Sequence, residues 1–314
     1  MKVLVTGANG FVGQAVLLRL NGVRGVTATG SVRRVAPFAD VGAPLVTIGD
    51  LSQETDWSRA LEGVQAVVHT AARVHVMQES AANPLEEFRR VNVQGSFHLA
   101  RQAAAVGVRR FLLVSSIKVN GEATQLGFPF TADDAPAPID AYGVSKMEAE
   151  QGLLALSAQT GMEVVIIRPP LVYGPGVKAN FAAMMHWLQR GIPLPLGAIH
   201  NRRSLVALDN LVDLIVLCLT HPAAANRTFL VSDGEDVSTT QLLRRMGQAL
   251  GRPPRLIPVP ASFLKLAAVV VGKSDVAHRL CGSLQVDISK TRHLLGWAPP
   301  LSLDEGLKRA TETL

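Results

Sequence analysis

The sequence is poor in cysteine: 314 residues carry two, Cys218 and Cys281, each inside an apolar stretch. Two buried thiols suit a reducing compartment, and a disulfide scaffold is excluded. No Cys/His cluster has the spacing of a metal centre, so no metal is expected. Aromatic residues make up only 5% of the chain. The 31 basic residues, against 25 acidic, are spread along it with no block of five. Nucleic-acid binding calls for a basic stripe interleaved with aromatics, and that class is excluded. No apolar run approaches the roughly 20 residues of a bilayer span. The longest, Leu266 to Val271 with its flanks, reads as a core or interfacial helix. Glycines interrupt the first apolar stretch at once, which does not resemble a secretion signal, so a cytoplasmic protein is expected.

What the chain does have is alternation. Apolar strands are expected at Lys2–Thr6, 26–32, 44–48, 65–69, 110–115 and 163–167. Helical patterns lie between them at Phe11–Asn21, 85–106 and Ala141–Thr160. Buried strands alternating with helices predict an α/β fold with a doubly wound parallel sheet of the Rossmann kind. After Arg168, five Pro or Gly residues in eight positions break the rhythm. A smaller α/β lobe is expected there, with residues 1–173 and about 207–231 forming the cofactor half, and 174–206 and 232–314 the other.

The first strand runs into Thr6-Gly7-Ala8-Asn9-Gly10-Phe11-Val12-Gly13. Gly7 permits a tight turn, Gly10 lets backbone N–H groups approach a pyrophosphate, and Gly13 lets the helix pack close to the sheet. A dinucleotide site on Gly7, Asn9, Gly10, Phe11, Val12 and Gly13 is expected. The second strand ends in Ser31-Val32-Arg33-Arg34, with no carboxylate for a ribose 2′-hydroxyl. Arg33 or Arg34 can pair with a 2′-phosphate, or only solvate a loop. NAD(P)H is therefore expected, with NADPH tolerated or preferred. Asp50, beside Leu51, can reach the adenine amino group.

Tyr142 and Lys146 are four apart at the start of a long helix and share a face. An ammonium beside a phenol stabilises the phenolate, so a lowered tyrosine pKa is expected. A hydroxyl of Ser115 or Ser116, at the end of the fifth strand, can bond the same substrate oxygen.

These strings resemble the extended short-chain dehydrogenase/reductases, in the sugar-nucleotide epimerase/dehydratase family. The resemblance rests on TGANGFVG at 6–13, GDL at 49–51, HTAA at 69–72, VNVQG at 91–95, SS at 115–116, YGVSK at 142–146 and RPPLVYGPG at 168–176. It implies Ser116, Tyr142 and Lys146 as the catalytic set, with Lys146 also on the nicotinamide ribose. Ala71 would lie along the cofactor, Pro169 would face the nicotinamide, and Asn92 would support the site. For the substrate it implies Arg203 at the diphosphate and Asn180 near the sugar phosphate, with Arg279 as a second phosphate ligand. Family dehydratases carry an Asp-Glu pair where this chain has Ile117 and Lys118, which argues against dehydration. Similarity to bacterial 4-keto-sugar reductases sets the expectation: NAD(P)H-dependent reduction at carbon 4 of a UDP-linked 4-keto-6-deoxy-N-acetylhexosamine, giving a UDP-N-acetylquinovosamine product for surface polysaccharide. The alternative is a UDP-glucose or UDP-N-acetylglucosamine 4-epimerase. A homodimer paired through helices 85–106 and 141–160 is also implied, with a UDP-sugar as partner.

Overall fold

A computed structural model describes residues 1–34, 42–74, 83–272 and 274–312, without the side chains of 179, 180 and 275. Seven parallel strands form the main sheet: β1 (Lys2–Thr6), β2 (Thr27–Val32), β3 (Leu45–Thr47), β4 (Ala66–His69), β5 (Arg110–Val114), β6 (Glu163–Arg168) and, at one edge, the strand Arg227–Leu230. The order runs β3-β2-β1-β4-β5-β6 and then that edge strand. Strand order reverses between β1 and β4. In such sheets ligands bind at this switch point, outside the carboxyl ends of the strands.

Both faces of the sheet are covered, as the unbroken apolar strands require. One side carries α1 (Phe11–Asn21) and the later helix Leu208–Cys218, enclosing Val3, Val5, Leu17, Val68 and Phe229. The other carries α2 (Ser58–Leu61), α3 (Pro84–Phe88), α4 (Ser96–Ala105) and α5 (Ala141–Thr160), around Leu4, Trp57, Val67, Phe111 and Ile166. The helix expected over 85–106 is not continuous: a π-helical turn at Arg89–Gly95 separates α3 from α4. A one-residue bulge of this kind barely disturbs a 3.6-residue pattern, so apolar spacing does not reveal it.

Beyond β6 the chain forms β7 (Leu171–Tyr173), α6 (Ala179–Gln189), β8 (Arg203–Ala207), α7 (Leu208–Cys218), β9 (Arg227–Leu230, the edge strand above), β10 (Asp236–Val237) and α8 (Thr239–Ala249). Then follow α9 (Ala261–Val270), α10 (Ser274–Cys281), α11 (Ser289–Leu295) and α12 (Leu303–Thr311). Strands β10, β8 and β7 make a second, three-stranded sheet. It packs with α6, α8 and α12 around Tyr173, Phe181, Met185, Leu243 and Leu307. Packing crosses the boundary expected from the sequence. Residues 171–173 lie in the small sheet, while Leu284, Ile288, Leu295 and Trp297 join the core of the large one.

Among the described residues no helix is long and apolar enough to cross a membrane, and no cluster of metal-ligating side chains occurs.

Candidate active site

The glycine turn closes β1. Gly7 has a positive φ of 66°, and a Cβ there would lie 2.9 Å from the Ala71 amide nitrogen. On Gly13 it would lie 2.2 Å from the Gly7 carbonyl oxygen. Neither position has room for a side chain, so α1 starts hard against the turn. Gly10 is the N-cap of α1, has no side-chain cap, and the first turn contains no acidic residue. Asn9 and Gly10 are exposed, with Phe11 and Val12 partly so. An uncapped helix N-terminus behind a bare backbone cradle fits the pyrophosphate of a dinucleotide.

The neighbouring loop is tied to the same turn. Thr6 Oγ1 accepts from the Thr70 and Ala71 amides at 3.2 and 3.1 Å. It can then donate to His69 Nδ1, 2.7 Å away, which leaves Nε2–H to donate to Ser96 Oγ at 2.8 Å. Burial, and after it the Lys146 charge, pushes the His69 pKa down to about 3. His69 is thus a neutral strut that fixes Ala71 beside Gly7.

At the adenosine end, Arg33 Nη1 lies 3.6 Å from Asp50 Oδ1, both side chains 71% exposed. Arg34 is exposed beside them, and Leu51 is buried behind Asp50. The Ser31 hydroxyl is buried without a partner. Arg33, Arg34 and Asp50 thus face outward, while Ser31 does not.

The side chains expected to be catalytic come from the segment after β5 and from the start of α5. Asp140 caps α5, its Oδ1 accepting from the Gly143 amide at 2.7 Å. A Cβ on Gly143 would lie 2.8 Å from the Lys118 carbonyl oxygen. Glycine here lets the 3₁₀ turn 117–119 press against the helix, and this brings Ser116 to Tyr142. The two side chains share a hydrogen bond. Ser115 is committed elsewhere: its hydroxyl donates to Glu150. Glu150 in turn takes a bidentate bond from buried Arg168, whose Nη1 donates to Asn120 Oδ1 at 2.9 Å. Ser116, not Ser115, is therefore the hydroxyl beside Tyr142.

Lys146 is buried and donates from Nζ to the Val114 carbonyl at 2.8 Å. Burial pushes its pKa down to about 8, against the pull of the Glu150 carboxylate. The Tyr142 pKa is pushed up to about 12, first by burial and then by the Asp140 charge, with the Ser116 bond opposing. This corrects the expected lowering. Enclosure of the phenol outweighs the ammonium one helical turn away, which is turned to a backbone carbonyl. Tyr142 as built is protonated at neutral pH.

The π turn has a role in the site. It points Asn92 at the backbone of Arg73, accepting from the amide at 2.8 Å and donating to the carbonyl at 3.0 Å. Asn92 also donates to Ser145 Oγ, which donates to the Tyr142 carbonyl at 2.8 Å. Phe88 meets the Tyr142 ring edge-on at 6.0 Å, with the Arg73 guanidinium 5.6 Å over the Phe88 ring. Pro169 is buried at the end of β6, and its carbonyl accepts from the Ile117 amide at 3.0 Å. Ile117 is buried, and Lys118 pairs with Asp140 and Glu122, so neither position offers an acid.

On the substrate side, Arg203 donates to the carbonyls of Arg279 and Gly282 at 3.0 and 3.1 Å. The expected pair Arg203 and Arg279 is thereby brought together where α10 ends. Burial lowers the Arg203 pKa. Asn180 is in the first turn of α6, and its side chain lies outside the described residues.

Sequence reasoning missed the Glu150–Arg168–Asn120 network, and with it the reason Ser115 is engaged. It also missed Asp140, although an Asp three positions before Gly143 is a legible helix cap.

Comparison with known proteins follows this geometry. A model of the NAD dependent epimerase/dehydratase family matches residues 3–232. A UDP-glucose 4-epimerase of Vibrio cholerae is 50% identical over 312 residues, 99% of this chain and 94% of that one. The UDP-N-acetylglucosamine 4-epimerase of Bacillus cereus superposes with a TM-score of 0.82 at 20% identity, over 100% and 99% of the two chains. MoeE5, solved with UDP-glucose and NAD, gives 0.77 at 25%, over 100% and 98%. The half-identical relative overturns the expected carbon-4 reductase. The reductase expectation rested on likeness in the strings at 115–122, 170–181 and 194–215, and a relative half identical over nearly the whole chain outweighs likeness in three short strings.

Proposed function

The chain belongs to the NAD dependent epimerase/dehydratase family, and from that premise we propose that it inverts carbon 4 of a UDP-hexose, with UDP-glucose or UDP-N-acetylglucosamine as substrate. The observation that carries this reading is the likeness to the Vibrio cholerae UDP-glucose 4-epimerase, half identical over nearly the whole of both chains.

NAD⁺, when bound, would supply the hydride acceptor for carbon 4 and bring positive charge into the site. Gly7, Gly10 and Gly13 would hold its pyrophosphate and Lys146 its nicotinamide ribose, with Ala71 and Pro169 also lining its site. Tyr142 takes the proton of the carbon-4 hydroxyl as the C–H bond breaks, and gives it back when the ketone is reduced on its other face. The first half-step asks for a phenolate, and positive charge beside the ring brings the raised pKa down. Ser116 bonds the same oxygen through both half-steps. Arg203, Arg279 and Asn180 grip the nucleotide end while the sugar turns.

The test uses the protein as purified with UDP-glucose, then UDP-N-acetylglucosamine, and no added cofactor. Appearance of the galacto epimer by proton NMR supports the reading. No epimer from either sugar after NAD⁺ is restored would reject it.

Arg33 and Arg34 favour acceptance of NADP(H) beside NAD(H). Affinities within about tenfold of each other are expected, and a strong preference for the unphosphorylated form would remove the idea. A homodimer paired through α4 and α5 is part of the same proposal, with sedimentation velocity as its check.

A further inference from the structure

Helix α9 has no buried residue, although eight of its ten side chains are apolar. Ala261 and Leu264 lean on the second core. On the opposite side, at helical spacing, stand Phe263, Leu266, Val269 and Val270, exposed by 65, 65, 64 and 80%. Val271 follows directly on the helix, and Val276, on α10, and Ile257 are exposed as well. A contiguous exposed apolar surface of this kind marks an interaction site rather than ordinary surface.

The surroundings are basic. From Arg252 to Gln285 the sequence holds five Lys or Arg and one acid, most of the chain's net charge of +6 in about a ninth of its length. Arg252, Arg255, Lys265 and Arg279 are exposed, and Lys265 stands at the rim of the apolar stripe, close to Cys281. An apolar stripe in a basic stretch of chain complements an anionic lipid surface. A second copy of the chain would fit poorly, because a two-fold contact brings the same basic stretch against itself. At ten residues, about 15 Å, α9 cannot span a bilayer and suits lying in its plane.

We propose that α9 is a membrane-docking helix, seating the protein on anionic lipid with Phe263, Leu266 and Val270 inserted between headgroups. Since α10 packs on α9, and the Arg279 and Gly282 carbonyls anchor Arg203, the docked molecule carries this arginine cluster next to the bilayer. The inference does not depend on the 4-epimerase reading.

The test is flotation of the full chain with vesicles of phosphatidylglycerol and phosphatidylcholine, and with phosphatidylcholine alone. Flotation is expected with the anionic vesicles, weakened by salt and by neutral lipid. The triple variant Phe263→Ser, Leu266→Ser, Val270→Ser should bind on the order of tenfold more weakly or less, with its melting temperature and turnover of soluble substrate kept. Absence of flotation by the parent protein, or undiminished flotation by a folded triple variant, overturns the proposal. So does a concentration-dependent dimer in lipid-free buffer that the triple variant abolishes, which would assign the face to a second copy. Should the triple variant not fold, the single Phe263→Ser change and the salt dependence of the parent protein decide by the same criteria.

Discussion

The two tyrosines of the chain, Tyr142 and Tyr173, stand in opposite halves of the molecule, and burial pushes both phenols up. Their partners differ. Tyr142 shares its hydrogen bond with a serine hydroxyl that a substrate oxygen can join. Tyr173 has no exposed surface and donates to the Asp233 carboxylate at 2.7 Å. Asp233 also accepts from the Ala207 amide and from Asn210, each at 2.7 Å. Asn210 exchanges bonds with the Leu301 backbone at 2.8 and 2.9 Å. One phenol keeps a partner that can be exchanged. The other is spent joining β7, β8, α7 and the C-terminal segment. A raised pKa therefore does not by itself identify a catalytic tyrosine; the exchangeability of its partner does.

The comparison can be broken at several points. Tyr142→Phe should lower turnover by about 10² or more, the loss typical of a removed general acid, with melting unchanged. Wild-type turnover in that variant would take tyrosine out of the mechanism. Tyr173→Phe should do the reverse. It leaves the buried Asp233 carboxylate short of a donor and costs about 1–3 kcal/mol of stability, visible as an earlier urea midpoint, while the folded enzyme keeps its rate.

A third effect belongs to the cofactor half alone. His69 is neutral in the fold but binds a proton when unfolded below about pH 6.5. The unfolded state then holds the extra proton, so stability falls as pH drops from there toward 3, by up to about 1.4 kcal/mol per pH unit. Urea melts of the wild type and His69→Gln across that window should diverge by this slope, and parallel curves would deny His69 the role. Smaller again, Asp140→Asn removes a charge that raises the Tyr142 pKa while keeping a capping side chain. The acid limb of the pH–rate profile should move to lower pH, and an unmoved limb would show that Asp140 acts only as the cap.

The halves also differ in what the sequence discloses. Around the cofactor the site is made of backbone and near neighbours. A glycine repeat after a strand, and Tyr142 four residues before Lys146, are local patterns, and α5 runs over Ala141–Thr160 as its spacing implies. The second lobe is built from short strands after the Pro/Gly break, whose partners are distant: Arg203 pairs with Leu284 and Val237, Phe130 with Val286. Nothing local encodes such pairing, so β7, β8 and β10 escape a reading by periodicity. The π turn at Asn92 hides for the same reason, since it is tied to the backbone of Arg73. Ser116 was legible from the family strings, but what engages Ser115 was not, because Glu150 lies far along the chain. Epimerase and reductase share the legible half, and the preference between them came from kinship over the whole chain.

The most direct test of that choice follows the hydrogen on carbon 4. UDP-glucose deuterated there, given to the protein with NADPH present in excess, should become UDP-galactose that keeps its deuterium at carbon 4, with no NADPH consumed. Galacto product that has lost the label, or no epimer from UDP-glucose while a UDP-linked 4-keto sugar given in its place is reduced with matching NADPH oxidation, would contradict the account.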